Sequence, residues 1–330
     1  GYTSYTANHG LLELREEISQ QFMDEHQLQY NPKDEVLITV GVSEGLDLAL
    51  RTIICPGDEI LIPEPCYVSY KACVSLAGGI PVTVPTSIET EFRITVEQLE
   101  KYVSPKTKAL IIGYPNNPTG AIMPQEELSK IAEFAERHDL IVISDEIYSN
   151  LTYDATHTCF AALPNMKDRT IVLNGFSKSY AMTGWRIGYA LANHEFIASM
   201  NKIHQYTMLC APITAQIGAL EALRHGKIHM KKMVSEYDRR RKLIYEGFKA
   251  MGLYCFEPKG AFYIFPSIAN TGMDSLEFAE KLLRSEKVAL VPGNAFGESG
   301  NGFIRCSYAT SISKIDEALA RIERFLQQNC

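Results

Sequence analysis

Lys178 is the residue of this chain whose position most clearly suggests covalent chemistry. It follows the apolar, β-branched run 171–176, which predicts a strand, so its amine lies just beyond a strand end. Burial beside Phe176, Tyr180 and Met182 would lower the pKa of the amine and leave a neutral nucleophile near pH 7. A lysine at such a position is more often an ordinary solvated loop residue. The interpretation therefore depends on the residues that accompany it.

Asp145 follows the apolar run 140–144, and Tyr148 comes three residues later. A carboxylate at the end of an aliphatic strand is unfavourable to bury unless it faces a cation. Taken alone, a functional and a structural carboxylate fit this pattern equally well.

Residues 39–45 predict a strand that runs directly into a helix. The free N–H groups of Val42 and Ser43 and the positive end of the helix dipole would bind an anion such as phosphate. Ser43 alone fits a simple helix N-cap as well or better. Arg186, eight residues after Lys178, could supply the permanent positive charge that holds a phosphate.

Asn117 lies in the segment 114–120, where two prolines fix a rigid turn after another apolar strand. Its carboxamide can hydrogen-bond to a ligand above the strand ends, although a plain Asn-Pro turn would have the same sequence. An amine, a carboxylate, a phenol and a phosphate site at neighbouring strand ends are what an aromatic, phosphorylated aldehyde requires. Pyridoxal 5'-phosphate is such a molecule.

Apolar runs alternate with helical-period segments through the first part of the chain. This pattern predicts an α/β fold with a mainly parallel central sheet, helices on both faces, and ligands at the carboxyl ends of the strands. The predicted strands are 36–40, 59–62, 81–84, 108–114, 140–144 and 170–175, and the predicted helices are 43–54, 67–76, 95–103 and 125–138.

From about residue 195 the pattern changes to helices and then to a smaller α+β unit. We expect a large domain over 1–235 and a small C-terminal domain over 236–330. The basic run 238–242 is interpreted as a solvated helix face. The later elements are helices 231–251, 275–285 and 313–328 and strands 261–265, 288–291 and 303–308.

Composition limits the partners and the compartment. The 330 residues are 46% hydrophobic with a formal charge of −7, and the chain has neither a long run of one charge nor an apolar stretch of membrane-spanning length, so no nucleic-acid or membrane partner is expected. Eight irregularly spaced cysteines without a C-x-x-C pair indicate reduced thiols and a cytoplasmic protein. His225 and His229 lack an evident third ligand, and no metal site is predicted.

Four motifs occur in the order typical of one family: P-x-N-P-T-G at 115–120, D-E-I-Y at 145–148, S-K-x-x-x-M-T-G-W-R-I-G at 177–188 and R-x-S-Y at 305–308. Over essentially its whole length the chain resembles the fold-type I, class I/II aminotransferases, which use pyridoxal phosphate. Within the family it is most similar to Firmicute-type N-acetyl-diaminopimelate or aromatic amino-acid aminotransferases. These two activities and aspartate transamination all remain open.

The resemblance implies a role for each matching residue. Lys178 would bond covalently to the cofactor aldehyde and then move the proton between the substrate Cα and the cofactor C4′. Asp145 would keep the pyridine nitrogen protonated. Tyr148 and Asn117 would hydrogen-bond to the ring O3′ oxygen, and Tyr67 would stack on the ring.

The implied phosphate ligands are Ser177, Arg186 and the helix start at Val42 and Ser43. Many relatives have serine three residues before the lysine, where this chain has Gly175.

Arg305 would hold the substrate α-carboxylate in a bidentate fork, with Asn117 also assigned to substrate binding. Tyr5 would reach the phosphate of a partner subunit, which implies a homodimer with shared active sites. Family members usually have some tens of residues before the Tyr5 motif, including a segment that closes over the substrate.

The expected function is ping-pong transamination from an L-α-amino acid to a 2-oxo acid, with 2-oxoglutarate as the acceptor. Two alternatives stay open on the motifs: a carbon–sulfur β-lyase on the same fold, and a non-catalytic domain that senses pyridoxal phosphate. The pI of about 5.7 gives no support for a basic DNA-binding face, and the complete set of Lys178, Asp145 and Arg305 favours an enzyme.

Overall fold

A computed structural model describes residues 3–329 and has a seven-stranded sheet at its centre. These strands are β1 (Val36–Thr39), β2 (Glu59–Glu64), β3 (Ile80–Pro85), β4 (Thr107–Ile112), β5 (Ile141–Asp145), β6 (Thr170–Gly175) and β7 (Gly188–Leu191). They lie in the order β1-β7-β6-β5-β4-β2-β3. Strands β3, β2, β4, β5 and β6 are parallel, and β7 is antiparallel to both β6 and β1. The expected mainly parallel α/β sheet is confirmed.

Ten α-helices accompany the strands within the described residues. They are α1 (Leu12–His26), α2 (Gly41–Ile53), α3 (Ser69–Leu76), α4 (Val96–Leu99), α5 (Gln125–Arg137), α6 (His194–Thr207), α7 (Ile213–His225), α8 (Lys227–Ala250), α9 (Ser275–Glu286) and α10 (Ile312–Asn329). None of those within residues 3–329 has the length and hydropathy of a membrane span. The elements that carry the motifs were predicted from the sequence, whereas α1 and β7 were not.

Helices cover both faces of the central sheet. Successive residues of a strand point to opposite faces, so each strand contributes to both cores. Ile60 and Ile62 of β2 belong to a core shared with α2, α3 and α6. Leu61 between them belongs to a core on the other face, shared with α4 and α5. Near β1 and β7 that second face is covered by α1 and α7.

A second, three-stranded sheet has the order β8-β10-β9, formed by β8 (Tyr263–Ile264), β9 (Val291–Pro292) and β10 (Ile304–Ser307). It shares a separate hydrophobic core with α9, α10 and the C-terminal half of α8. The proposed division at residues 235 and 236 falls within the continuous helix α8 and stays a prediction.

The interpretation of the basic run 238–242 as a solvated helix face is wrong for one residue. Arg241 is not solvated: its side chain is fully buried and its guanidinium pairs with Asp238, Asp154 and Glu257 at 2.6–2.9 Å. The guanidinium also lies over the Tyr153 ring, 5.2 Å from the centroid. Helical spacing identified the charged face but could not show that one arginine faces a neighbouring loop.

Candidate active site

The carboxyl ends of β1, β4, β5 and β6 lie at one edge of the central sheet, because these four strands run in the same direction. A cavity of about 320 Å³ opens there. Every sequence-predicted site residue except Tyr5 lines it: Val42, Ser43, Tyr67, Asn117, Asp145, Tyr148, Ser177, Lys178, Arg186 and Arg305. Its charged lining among residues 3–329 comprises one carboxylate and three basic groups, which favours an anionic ligand.

Asp145 reaches the cavity because it is the last residue of β5, where alternate residues face opposite sides of the sheet. The next residue, Glu146, instead points into the protein, where it accepts hydrogen bonds from Ser144 and the Phe160 backbone. Asp145 accepts hydrogen bonds from the Tyr70 hydroxyl at 2.8 Å and the Ile147 N–H at 3.2 Å. These two donors fix the carboxylate at the end of the strand.

Burial raises the pKa of Asp145 to about 6, although the hydrogen bonds from Tyr70 and Ile147 act in the opposite direction. The carboxylate is only 8% exposed and forms no ion pair with Lys178 or any other residue of 3–329. A cationic ligand group placed beside it would therefore be stabilised, and would in turn stabilise the ionised Asp145.

Lys178 lies in the loop after β6, and its Nζ is 5.9 Å from the centre of the Tyr148 ring and 5.8 Å from that of Phe262. Burial, with the positive charges of Arg186 and Arg305, lowers the pKa of Lys178; the Asp145 charge partly opposes this change. A lower pKa increases the neutral fraction of the amine, as a nucleophile requires.

The start of α2 and Arg186 form one side of the cavity. Helix α2 begins at Gly41, so Ser43 lies in its first turn and the N-cap interpretation is wrong. Gly41 has a φ of +74°, and a Cβ there would come within 2.6 Å of the Arg186 Nη2. A Cβ at Gly188 would similarly lie 2.8 Å from the Val42 nitrogen. The two glycines keep the guanidinium close to the free N–H groups of the helix, which together suit a phosphate.

The hydrogen bonds that stabilise the turn come from Asn116, so the side chain of Asn117 can face the cavity. The Asn116 carboxamide oxygen accepts hydrogen bonds from the backbone and the hydroxyl of Thr119. The Asn117 oxygen accepts one from Arg305 Nη1 at 3.0 Å. The buried Nε of Arg305 has no hydrogen-bond partner among residues 3–329. Among residues 3–329 the Arg305 guanidinium donates only the hydrogen bond to Asn117, so its other N–H groups at the cavity can bind an anionic ligand.

Two tyrosines of the cavity were missed by the sequence analysis. Tyr70 lies three residues after Tyr67, and helical spacing would have placed both rings together; their centroids are 5.7 Å apart. Tyr263 lies on β8, and its hydroxyl is 3.0 Å from that of Tyr148. No local sequence signal predicts this second contact, because it joins the two sheets.

The structure explains the glycine three residues before Lys178. A Cβ at Gly175 would lie 2.8 Å from the Cα of Gly188 on the neighbouring strand and 3.0 Å from the carbonyl oxygen of Ile187. Serine at this position would require the backbone of β7 to move.

Tyr5 does not line the cavity of its own chain and is 82% exposed. An exposed aromatic residue is what a contact with a second subunit would require, and the role of Tyr5 stays a prediction.

The sequence profile described as "Aminotransferase class I and II" matches residues 1–322. The chain belongs to this family. The putative aminotransferase YugH of Bacillus subtilis is 55% identical over 99% of this chain and 85% of its own length. Aromatic-amino-acid aminotransferase 2 of Thermococcus litoralis is 45% identical with the same coverage. The crystal structure of an aromatic aminotransferase from Pyrococcus horikoshii OT3 superposes with a TM-score of 0.98 at 46% identity, over 99% of this chain and 88% of that chain.

Aminotransferases of class I and II depend on pyridoxal phosphate, so the predicted enzyme class and cofactor are confirmed. The cavity fits this cofactor on its own evidence. It contains a partly buried lysine for the aldehyde, a buried carboxylate that lacks a cation, and an anion site at the start of α2. When bound, pyridoxal phosphate supplies an electron sink that stabilises negative charge at the substrate Cα.

Proposed function

We propose that this aminotransferase transfers the amino group of an L-α-amino acid to 2-oxoglutarate by a ping-pong mechanism at the cavity described above. The observation that carries the proposal is the position of Lys178 and Asp145 in one cavity with Arg186 and with Arg305, whose buried Nε has no hydrogen-bond partner among residues 3–329. An amino acid and a 2-oxo acid each bring an α-carboxylate, for which Arg305 is the basic partner, and the cofactor brings a phosphate, for which Arg186 is the basic partner.

Lys178 would hold the cofactor through its amine. Once the amino group of the substrate has replaced it there, the released Lys178 amine would be the base that removes the proton from the amino-acid Cα. Its lowered pKa supports this role, because a base must be neutral before it accepts a proton. Asp145, a buried carboxylate at the end of an apolar strand, would keep the pyridine nitrogen of the cofactor protonated. Tyr148 and Asn117 would hydrogen-bond to the hydroxyl oxygen of the cofactor ring, and Tyr67 would pack against the ring.

Arg305 binds the α-carboxylate through its planar guanidinium, which the Asn117 oxygen holds at 3.0 Å. Val42, Ser43, Ser177 and Arg186 bind the phosphate.

We further propose a homodimer in which Tyr5 contacts the phosphate in the partner's site, and a cytoplasmic location. The exposure of Tyr5 supports the first proposal. The cysteines of residues 3–329 are all free thiols, which supports the second.

The reaction is tested by supplying the purified chain with pyridoxal phosphate, an L-amino acid and 2-oxoglutarate, and measuring glutamate. The twenty standard amino acids define the preferred donor. Cystathionine is assayed in parallel. Pyruvate and ammonia from cystathionine, without glutamate from any amino acid, would identify a β-lyase and overturn the proposal.

Shared sites are tested by mixing two inactive variants, Tyr5→Ala and Lys178→Ala, and allowing the subunits to exchange. If Tyr5 serves the partner, one site of each mixed dimer combines an intact Lys178 with an intact Tyr5, and activity returns. A mixture without recovered activity, despite demonstrated subunit exchange, would contradict the shared-site proposal.

A further inference from the structure

Tyr263 occupies a position between two functional groups of the cavity. It is 7% exposed and lies on β8, which pairs with β10, the strand that carries Arg305. The Arg305 guanidinium carbon lies 4.6 Å from the centre of the Tyr263 ring. The Tyr263 hydroxyl is 3.0 Å from that of Tyr148. One side chain of the small sheet therefore contacts both Arg305 and the phenol at the end of β5.

We propose that Tyr263 is a positioning residue that acts through both neighbours: its ring supports the Arg305 guanidinium, and its hydroxyl donates a hydrogen bond to the Tyr148 oxygen. This inference rests on the proposed function of the cavity, in which Arg305 binds the substrate carboxylate and Tyr148 faces the cofactor ring oxygen.

The ring of Tyr263 packs against the guanidinium. A second aromatic ring, that of Phe296, lies 4.8 Å from the same carbon, so two aromatic groups contact Arg305. The Asn117 oxygen then fixes its direction within the cavity. Held in this way, the guanidinium loses less conformational freedom when a carboxylate binds.

The hydroxyl pair links Tyr263 to the cofactor side of the cavity. Burial raises the pKa of both tyrosines, so both hydroxyls are protonated at neutral pH and each has a proton to donate. If Tyr148 donates its proton to the cofactor ring oxygen, its own oxygen is free to accept from Tyr263. A hydroxyl that accepts one hydrogen bond becomes a stronger donor in the next. Tyr263 would therefore strengthen the stabilisation of negative charge on the ring oxygen.

The charged and titratable groups that face Tyr148 come from five elements. They are Tyr70 on α3, Asp145 at the end of β5, Lys178 after β6, Tyr263 on β8 and Arg305 on β10. Only Tyr263 is hydrogen-bonded to the Tyr148 hydroxyl among residues 3–329. Removing its hydroxyl therefore alters this one contact and leaves the charges in place.

Two variants separate the two contacts. Tyr263→Phe keeps the ring and removes the hydroxyl, whereas Tyr263→Leu removes both. Tyr153→Phe is the matched control, since it removes another buried tyrosine hydroxyl, bonded to the Ala261 carbonyl, outside the cavity. Circular dichroism and thermal melting establish that each variant is folded.

The first readout is the absorption spectrum of each cofactor-loaded protein, without substrate, as a function of pH. In Tyr263→Phe we expect the midpoint of the spectral change to rise by about 0.5 pH unit, because a weaker Tyr148 donor stabilises the deprotonated cofactor less. The KM for the amino acid should stay within about twofold of wild type, because the ring that supports Arg305 remains.

In Tyr263→Leu we expect the same shift in midpoint and, in addition, a rise of about tenfold in KM, because Arg305 loses one aromatic support. Tyr153→Phe should change neither. An unchanged or lowered midpoint in Tyr263→Phe, or an unchanged KM in Tyr263→Leu, would overturn the proposal. If Tyr263→Leu does not fold, the spectral midpoint of Tyr263→Phe decides. Failure of the proposed function itself would instead appear as absent transamination by the wild-type protein.

Discussion

Replacing Tyr70 by phenylalanine should raise the pKa of Asp145. The Tyr70 hydroxyl donates a hydrogen bond of 2.8 Å to the Asp145 carboxylate and lowers the pKa of that group, while burial raises it to the net value of about 6. A hydrogen bond to a charged group contributes about 1.5–3 kcal/mol, and one pKa unit corresponds to about 1.4 kcal/mol. Loss of the hydroxyl should therefore raise the Asp145 pKa by about 1–2 units.

This change would leave at least about half of Asp145 in the cofactor-free variant protonated at pH 7. A neutral carboxyl cannot hold the protonated pyridine nitrogen, so pyridoxal phosphate should bind more weakly near neutral pH. Affinity should recover as the pH rises and Asp145 ionises, and the pH at which it recovers should lie above that of the wild type.

The assay is infrared difference spectroscopy of the cofactor-free protein, which follows the carbonyl stretch of the protonated carboxyl through a pH titration. Asp145→Asn identifies the band. Tyr67→Phe is the matched control, because it removes a hydroxyl from the same cavity without a hydrogen bond to Asp145. A midpoint in Tyr70→Phe within about 0.3 unit of the wild type would refute the reasoning, since this is well below the shift expected from the lost hydrogen bond.

Three further predictions concern stability and substrate binding. The pKa of Asp145 is raised from 3.8 to about 6, so the folded cofactor-free protein holds this proton more tightly than the unfolded chain does. The free energy of unfolding should therefore fall by about 3 kcal/mol as the pH rises from about 4 to above 6. Urea unfolding should show this fall in the wild type and a correspondingly smaller one in Asp145→Asn; equal falls would contradict the assignment. Arg305→Lys should raise the amino-acid KM by about tenfold or more with a smaller change in kcat, because a point charge replaces a bidentate fork; steady-state kinetics with an unchanged KM would remove Arg305 from the substrate site. Arg241→Ala should lower the free energy of unfolding by about 3 kcal/mol, because it leaves three carboxylates without their buried partner. Arg239, whose side chain is 69% exposed, is the control, and Arg239→Ala should change the free energy of unfolding by less than about 0.5 kcal/mol. Equal effects of the two substitutions would contradict the buried cluster.

The sequence predicted the central sheet and most of the cavity because strand ends are local features. Lys178 and Asp145 each follow an apolar run, and parallel strands bring such ends to one edge. Strand β7 was missed because four residues between a motif and a helix carry little periodic signal.

Contacts between distant elements could not be predicted in the same way. The Tyr148–Tyr263 pair joins the turn after β5 to β8, 115 positions further along the chain. The burial of Arg241 depends on carboxylates from the segments around residues 154 and 257. Helical or strand periodicity describes which residues share a face, but not which distant element packs against that face. The motif around Arg305 placed that residue in the site, but the contacts of Tyr263 with Tyr148 and Arg305 were accessible only from the structure.

The central claim is that Lys178 bonds covalently to pyridoxal phosphate. The most direct test is borohydride reduction of the cofactor-loaded protein, followed by proteolysis and mass spectrometry of the peptides. We predict that the mass of the reduced cofactor is found on Lys178 and is absent from Lys178→Ala. A modified peptide that carries the cofactor on another lysine, or an unmodified Lys178 in a protein that transaminates, would contradict the claim.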